Sequence, residues 1–161
     1  MHEEVLLADL PPCGLYRTAT ALPDRAEQVP AGKLVYFHDH SNEPGVGIVL
    51  MPEENTGNRW KFMERGFLVR QASWARSLVP MKPEGFYTVA GAFQKGTTTV
   101  AQGQLVQLGY NRDAQPIVFF PNFDAERNGL VFPTKGMSIG PDVYDGLRPV
   151  ELRGPKRATV Q

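Results

Sequence analysis

The sequence predicts an all-β protein in which one small module is present twice, and three observations point there. Gly32-Lys33-Leu34-Val35 returns as Gly103-Gln104-Leu105-Val106, and Pro12-Cys13-Gly14-Leu15-Tyr16 upstream of the first copy is answered by Pro83-Glu84-Gly85-Phe86-Tyr87 upstream of the second. Sixteen glycines and fourteen prolines are spread along all 161 residues, not gathered in one linker, which is the punctuation of many short strands. The stretches between them are short and rich in β-branched and aromatic residues, as in Leu34-Val35-Tyr36-Phe37.

Taken in order, residues 1–11 form an arm whose Val5-Leu6-Leu7-Ala8 packs on the first module before Pro11-Pro12 ends it. The first module spans residues 12–81. Its first strand runs from Gly14 to Leu22 in rough apolar alternation and stops at Pro23-Asp24. A loop leads to Pro30-Ala31-Gly32, and Leu34 to Phe37 is the second strand. His38 to Gly45 is a polar hairpin connection with Asn42, Pro44 and Gly45 as its turn residues. Val46 to Met51 is the third strand, Glu53 to Asn58 a polar loop, Trp60 to Met63 the fourth strand, and Phe67 to Val69 follows the turn at Gly66. Gln71 to Ser77 is a helical turn carrying Trp74, and Leu78-Val79-Pro80-Met81 ends the module.

The second module, residues 82–152, repeats this plan. A step of 71 residues carries Gly14, Tyr16, Ala19, Ala21, Val29, Gly32, Leu34 and Val35 onto Gly85, Tyr87, Ala90, Ala92, Val100, Gly103, Leu105 and Val106 without a gap. The step falls to 69 for Ile48 to Pro52 onto Ile117 to Pro121, is 70 for Asn58, Phe62 and Gly66 onto Asn128, Phe132 and Gly136, and is 69 again for Leu78 onto Leu147. Such shifts fall inside loops, where insertions cost little. Gln94 to Thr99 reads as the first long loop of this module, and residues 153–161 as a basic tail. Only Lys82 separates Met81 from Pro83, so the modules must touch, with a cleft between them.

Lysine plus arginine equals aspartate plus glutamate at seventeen each, so no overall field steers the chain to nucleic acid or an anionic membrane. No apolar run approaches the roughly 20 residues of a membrane helix, and the acidic start is unlike a secretory signal. The expectation is a cytoplasmic protein, and the single cysteine, Cys13, fits a reducing compartment.

Modules of about 70 residues are too small for immunoglobulin-type sandwiches, which need about 100. The order of a Gly-aromatic-Tyr first strand, a long loop, a Gly-x-Leu-Val strand, two further strands, a Gly turn and a last strand after a short turn resembles the SH3-like barrel, twice over nearly the whole chain. The resemblance implies a fold of two closely packed small barrels and no ligand; the acidic and tryptophan positions that hold polyproline in eukaryotic SH3 domains are not evident.

Positions that agree between modules read as requirements of the fold, and positions that differ are where function is grafted. His38-Asp39-His40 has Gly109-Tyr110-Asn111 as its counterpart. Two imidazoles at i and i+2 point to one face of a strand, so His38 and His40 are the candidate ligands of a divalent metal, with Glu43, Glu53 or Glu54 as further donors. Against metal stands a solvated polar loop, and no other cofactor is implied. No nucleophile elbow or phosphate loop occurs. Arg153, Lys156 and Arg157 of the tail are the feature a nucleic-acid-binding small barrel would use. Tyr36, Trp60, Trp74, Tyr110 and Tyr144 fall at loops and strand ends, where amphipathic rings make protein contacts; core or inter-module filling is the plainer reading for Trp60 and Trp74. Weighed together, the sequence favours a binding protein over an enzyme: a module that contacts another protein, of the bacterial accessory or immunity type that caps a partner. The competing readings are a metal-dependent protein using His38-Asp39-His40 and a nucleic-acid binder.

Overall fold

A computed structural model describes residues 10–151, and it is all-β with two five-residue helices. In the first half, β1 (Gly14–Arg17), β2 (Leu34–His38), β3 (Gly47–Leu50), β6 (Phe67–Val69) and β7 (Val79–Pro80) make an antiparallel sheet of order β6-β3-β2-β1-β7. In the second, β8 (Gly85–Val89), β11 (Leu105–Tyr110), β12 (Pro116–Phe119), β15 (Met137–Ser138) and β16 (Leu147–Pro149) make a sheet of order β15-β12-β11-β8-β16. The orders correspond strand for strand. Each half also carries a separate hairpin, β4 (Pro52–Thr56) with β5 (Arg59–Phe62) and β13 (Asn122–Asp124) with β14 (Gly129–Val131), and each has one short helix before its last strand, α1 (Ala72–Arg76) and α2 (Pro141–Asp145).

The buried positions correspond as well. Tyr16, Val29, Val35, Phe37, Val49 and Leu78 fill the first core, and Tyr87, Val100, Val106, Leu108, Val118 and Leu147 the second. The hydroxyl of Tyr16 donates to the carbonyl of Pro12 at 2.6 Å, and that of Tyr87 to the carbonyl of Pro83 at 2.6 Å. Gly32 and Gly103 sit at φ 74 and 81 and donate to the carbonyls of Thr18 and Val89, a left-handed turn that explains why glycine stands at both.

The structure differs from four expectations. Neither sheet closes into a barrel among the described residues: β6 and β7 are its edges in the first half, β15 and β16 in the second. These edge strands are only two or three residues long, and Pro80 and Pro149 lack the N–H needed to extend the ladder. The expected polar loop from Glu53 to Asn58 is strand β4 and its turn. Its side chains are polar on both faces and show no alternation, but Gly57 and Asn58 at φ 61 and 63 form the two-residue turn that matches strand twist, and the main chain pairs through it. The expected loop from Gln94 to Thr99 is likewise a hairpin, β9 (Phe93–Lys95) and β10 (Thr98–Val100), turned at Gly96 with φ 59. The first strand stops at Arg17, short of Leu22. Most of the N-terminal arm and the basic tail with Arg153, Lys156 and Arg157 lie outside the described residues; Leu10 is buried in the first core. Among the described residues no helix is long and apolar enough to cross a membrane.

Candidate functional site

The halves are clasped by the β4–β5 hairpin of the first, which lies on the second. Asn58, buried at its tip, donates to Gln107 Oε1 and to the carbonyl of Pro133, both at 2.9 Å, and Gln107 returns a bond to the carbonyl of Gly57. The indole N–H of Trp60 donates to the carbonyl of Tyr110 at 2.7 Å, with the guanidinium of Arg112 over its ring. Arg112 also donates to the carbonyl of Pro52, and its own carbonyl accepts from the amide of Leu34, a first-half residue that packs in the second core. Gly109 makes the approach possible: a Cβ there would stand 2.9 Å from the carbonyl oxygen of Asn58.

Tyr110 and Tyr144 complete this junction. The Tyr110 hydroxyl donates to the carbonyl of Lys82 at 2.6 Å and lies 2.9 Å from that of Tyr144, which accepts from the amide of Lys82. Burial, and then the bond with Tyr144, hold the Tyr110 phenol protonated far above the ordinary tyrosine range. Of the five aromatics singled out in the sequence, Trp60, Tyr110 and Tyr144 therefore meet at the junction. Trp74 is buried in the first core, its N–H donating to the carbonyl of Thr20, and Tyr36 is half-buried between His38 and Phe62.

Glu84 is set into the same junction, accepting from the amide of Trp60 at 3.1 Å. Burial raises its carboxyl above the ordinary 4.5, the amide of Trp60 and the charge of Arg59 only partly opposing it. A carboxyl raised on folding binds its proton more tightly folded than unfolded, so it lowers stability as pH climbs above 4.5. Glu84→Gln, which keeps an acceptor for Trp60, is expected to raise the unfolding midpoint at pH 7 and to equal wild type below pH 4.5. Thermal melts of both proteins across that range check it; a variant less stable at pH 7 would refute it.

The face of the first half that corresponds to this docked surface is open, and it holds the histidines. Because Gly14 pairs with Phe37, the register sets Cys13 opposite His38. Ligating atoms of Cys13, His38 and His40 all lie within 4.8 Å of one another. Cys13 Sγ is 3.6 Å from His40 Nδ1 and donates to Asp39 Oδ1 at 3.1 Å, while the amide of Asp39 donates back to Sγ at 3.4 Å. Rings of Tyr36, His38 and His40 run in contact, with centroids 4.9 and 5.4 Å apart. Burial raises the Cys13 thiol above its usual value, and hydrogen bonds from His40 and then Cys13 hold the Asp39 carboxyl below its own. Clefts open on either side: one of about 600 Å³ lined by His38, His40, Ser41, Asn42 and Glu64, and one of about 400 Å³ between the halves lined by Cys13, Tyr36, Trp60 and Glu84. Of the further acids considered, Glu43 is paired with Arg70, and none of Glu43, Glu53 and Glu54 joins the cluster among the described residues.

A second feature went unread in the sequence. The β13–β14 hairpin corresponds to β4–β5 but has nothing over it among the described residues: Asn128 is exposed where Asn58 is buried, and the cross-strand pair Phe123 and Leu130 stands 65% and 53% exposed. Phe86 is exposed as well and packs on Phe132 with ring centroids 5.2 Å apart, one residue beyond the strand. The signal was present in Phe123, Leu130, Val131 and Phe132, large apolar residues flanking the polar turn from Asp124 to Asn128. In comparisons with protein-family models, curated proteins and solved structures, nothing matches this chain.

Proposed function

We propose that the chain is a tandem of two SH3-like modules, arisen by internal duplication, that binds another protein through the β13–β14 hairpin. What supports the fold reading is the shared strand order of the two sheets and the repeated Tyr16 and Tyr87 hydrogen bonds. The observation that carries the binding reading is the Phe123–Leu130 pair, exposed on a hairpin whose counterpart is a docking element inside the same molecule. Monomers rarely hold contiguous apolar side chains in water without a use for them. The partner is a folded protein with an apolar groove that receives Phe123 and Leu130 as β11 and its neighbours receive Trp60. A protein working in this way caps its partner, as accessory and immunity-type proteins do.

The test places a photo-crosslinking residue at Phe86, beside the hairpin, and compares native-host cells carrying that protein with cells carrying it with Phe123→Ser and Leu130→Ser. One partner, recovered in near-equal amount at high and low salt and reduced at least about tenfold by the double substitution, is the expected result. Both changed residues are exposed, so the unfolding free energy should stay within about 0.5 kcal/mol of wild type. Equal recovery from both proteins, or none from either, would sink the reading.

A further inference from the structure

We infer that Cys13, His38 and His40 form a zinc site with one open coordination position, a property separate from the hairpin. The donor chemistry excludes the hard cations and admits zinc. One thiolate and two imidazoles suit zinc and do not suit magnesium or calcium, which take oxygen. The geometry is close to what the ion needs: with bonds of about 2.0 to 2.3 Å, a tetrahedral zinc holds its donors roughly 3.3 to 3.8 Å apart. Cys13 Sγ and His40 Nδ1 are already 3.6 Å apart, and the remaining separations stay within 4.8 Å. Small rotations of the exposed Cys13 and His40 side chains close the set.

The surroundings fit the charge. Binding replaces the thiol proton with the metal and releases that proton to solvent, leaving two positive charges against one thiolate. Asp39 sits beside the site: its amide supports the sulfur, and its carboxylate, 3.0 Å from His40 Nδ1 in the metal-free protein, gives up that bond when the nitrogen takes the metal and remains as a nearby negative charge. His38 and His40 line a cleft together with Ser41, Asn42 and Glu64, from which a water or a donor from a bound molecule can complete the tetrahedron.

The site is also unrepeated. At the corresponding positions the second half has Glu84, Gly109 and Asn111, so every donor is replaced although the strands that carry them are kept. Glycine at 109 admits the β4–β5 hairpin, whereas an imidazole at 38 fills the equivalent space. One surface serves two purposes: in the second half it receives a hairpin, and in the first it presents ligands.

Cobalt is the probe, because a cobalt–thiolate bond absorbs by sulfur-to-metal charge transfer and the chain has one cysteine. The full chain, stripped with chelator, should take up one equivalent of Co²⁺ with that band, and one equivalent of Zn²⁺ should abolish it. Zn²⁺ should also slow modification of the Cys13 thiol. Cys13→Ser and His38→Ala should each weaken zinc binding more than about tenfold. His2→Ala should change nothing, which separates the site from the remaining histidine. Metal-free melts at the wild-type midpoint will show that the Cys13 variant is folded, since that residue is exposed. Absence of the charge-transfer band at saturating cobalt, wild-type zinc affinity in Cys13→Ser, or loss of binding in His2→Ala would each overturn the assignment.

Discussion

Gly66→Ala is expected to destabilise the protein by about 3 kcal/mol, the upper end of what overpacking costs. The reason is where the new methyl would land. A Cβ on Gly66 would stand 2.3 Å from the carbonyl oxygen of Val49 and 2.7 Å from Ile48 Cγ2. The oxygen belongs to β3 and is held in the ladder, so it has no rotamer to change; the turn leading into β6 would have to lift off the sheet. The same collision recurs in the other half, where a Cβ on Gly136 would be 2.5 Å from Ile117 Cγ2 and 2.6 Å from the carbonyl oxygen of Val118. Gly136→Ala should therefore cost a similar amount. For a chain of this size a loss of 3 kcal/mol lowers the midpoint by roughly 6 to 12 °C. Gly91→Ala is the control: its Cβ would meet nothing within 4 Å, and its effect should stay within about 0.5 kcal/mol. Urea unfolding of the three variants settles it, and a Gly66→Ala protein as stable as Gly91→Ala would show that the turn yields.

Asn58→Ala should cost about 3 kcal/mol as well, by a different route. The amide of Asn58 satisfies Gln107 Oε1 and the carbonyl of Pro133 inside the junction, and its loss leaves both acceptors without their donor, at about 1 to 3 kcal/mol. Asn58 also sits at φ 63, which asparagine tolerates and alanine does not, for about 1 kcal/mol more. Asn58→Gly separates the two, since glycine relieves the backbone and keeps the polar loss. Asn128→Ala, at φ 48 on the exposed hairpin, should show only the backbone part. Equal effects at positions 58 and 128 would mean that the junction bonds contribute nothing net.

These two predictions rest on features of unequal legibility. Gly66 and Gly136 stand out in the sequence because a glycine required by backbone contact recurs in both halves, as do the tyrosines of β1 and β8. The core strands were readable for the same reason: burial of Val35, Val49, Val106 and Val118 demands apolar side chains on a fixed period. Strand β4 was not, because Glu53 to Thr56 face water and are held by main-chain pairing alone, which leaves no mark on side-chain type. The histidines were visible as a pair, but the third donor was not. Cys13 lies 25 residues from His38 in the chain and reaches it only through the register that sets Gly14 against Phe37. Pairing the first two expected strands on paper would have brought it there. The aromatics stayed ambiguous in the sequence for a physical reason. Tryptophan and tyrosine serve an internal junction by the same combination of apolar body and polar tip that serves a partner, so Trp60 and Tyr110 look alike in either use.

The clasp between the halves also sets an order of events during synthesis. Trp60 and Phe62 leave the ribosome with the first half, yet the carbonyl that receives the indole N–H belongs to Tyr110, 50 residues later. At roughly 5 to 20 residues per second, that interval is about 3 to 10 seconds during which the hairpin is complete but has no surface to lie on. Leu34 waits longer, since its amide bonds the carbonyl of Arg112 and the core it fills is made of second-half residues. The first half thus finishes its fold only after the second half has been made, and until then the nascent chain holds Leu34, Trp60 and Phe62 without the surface that covers them.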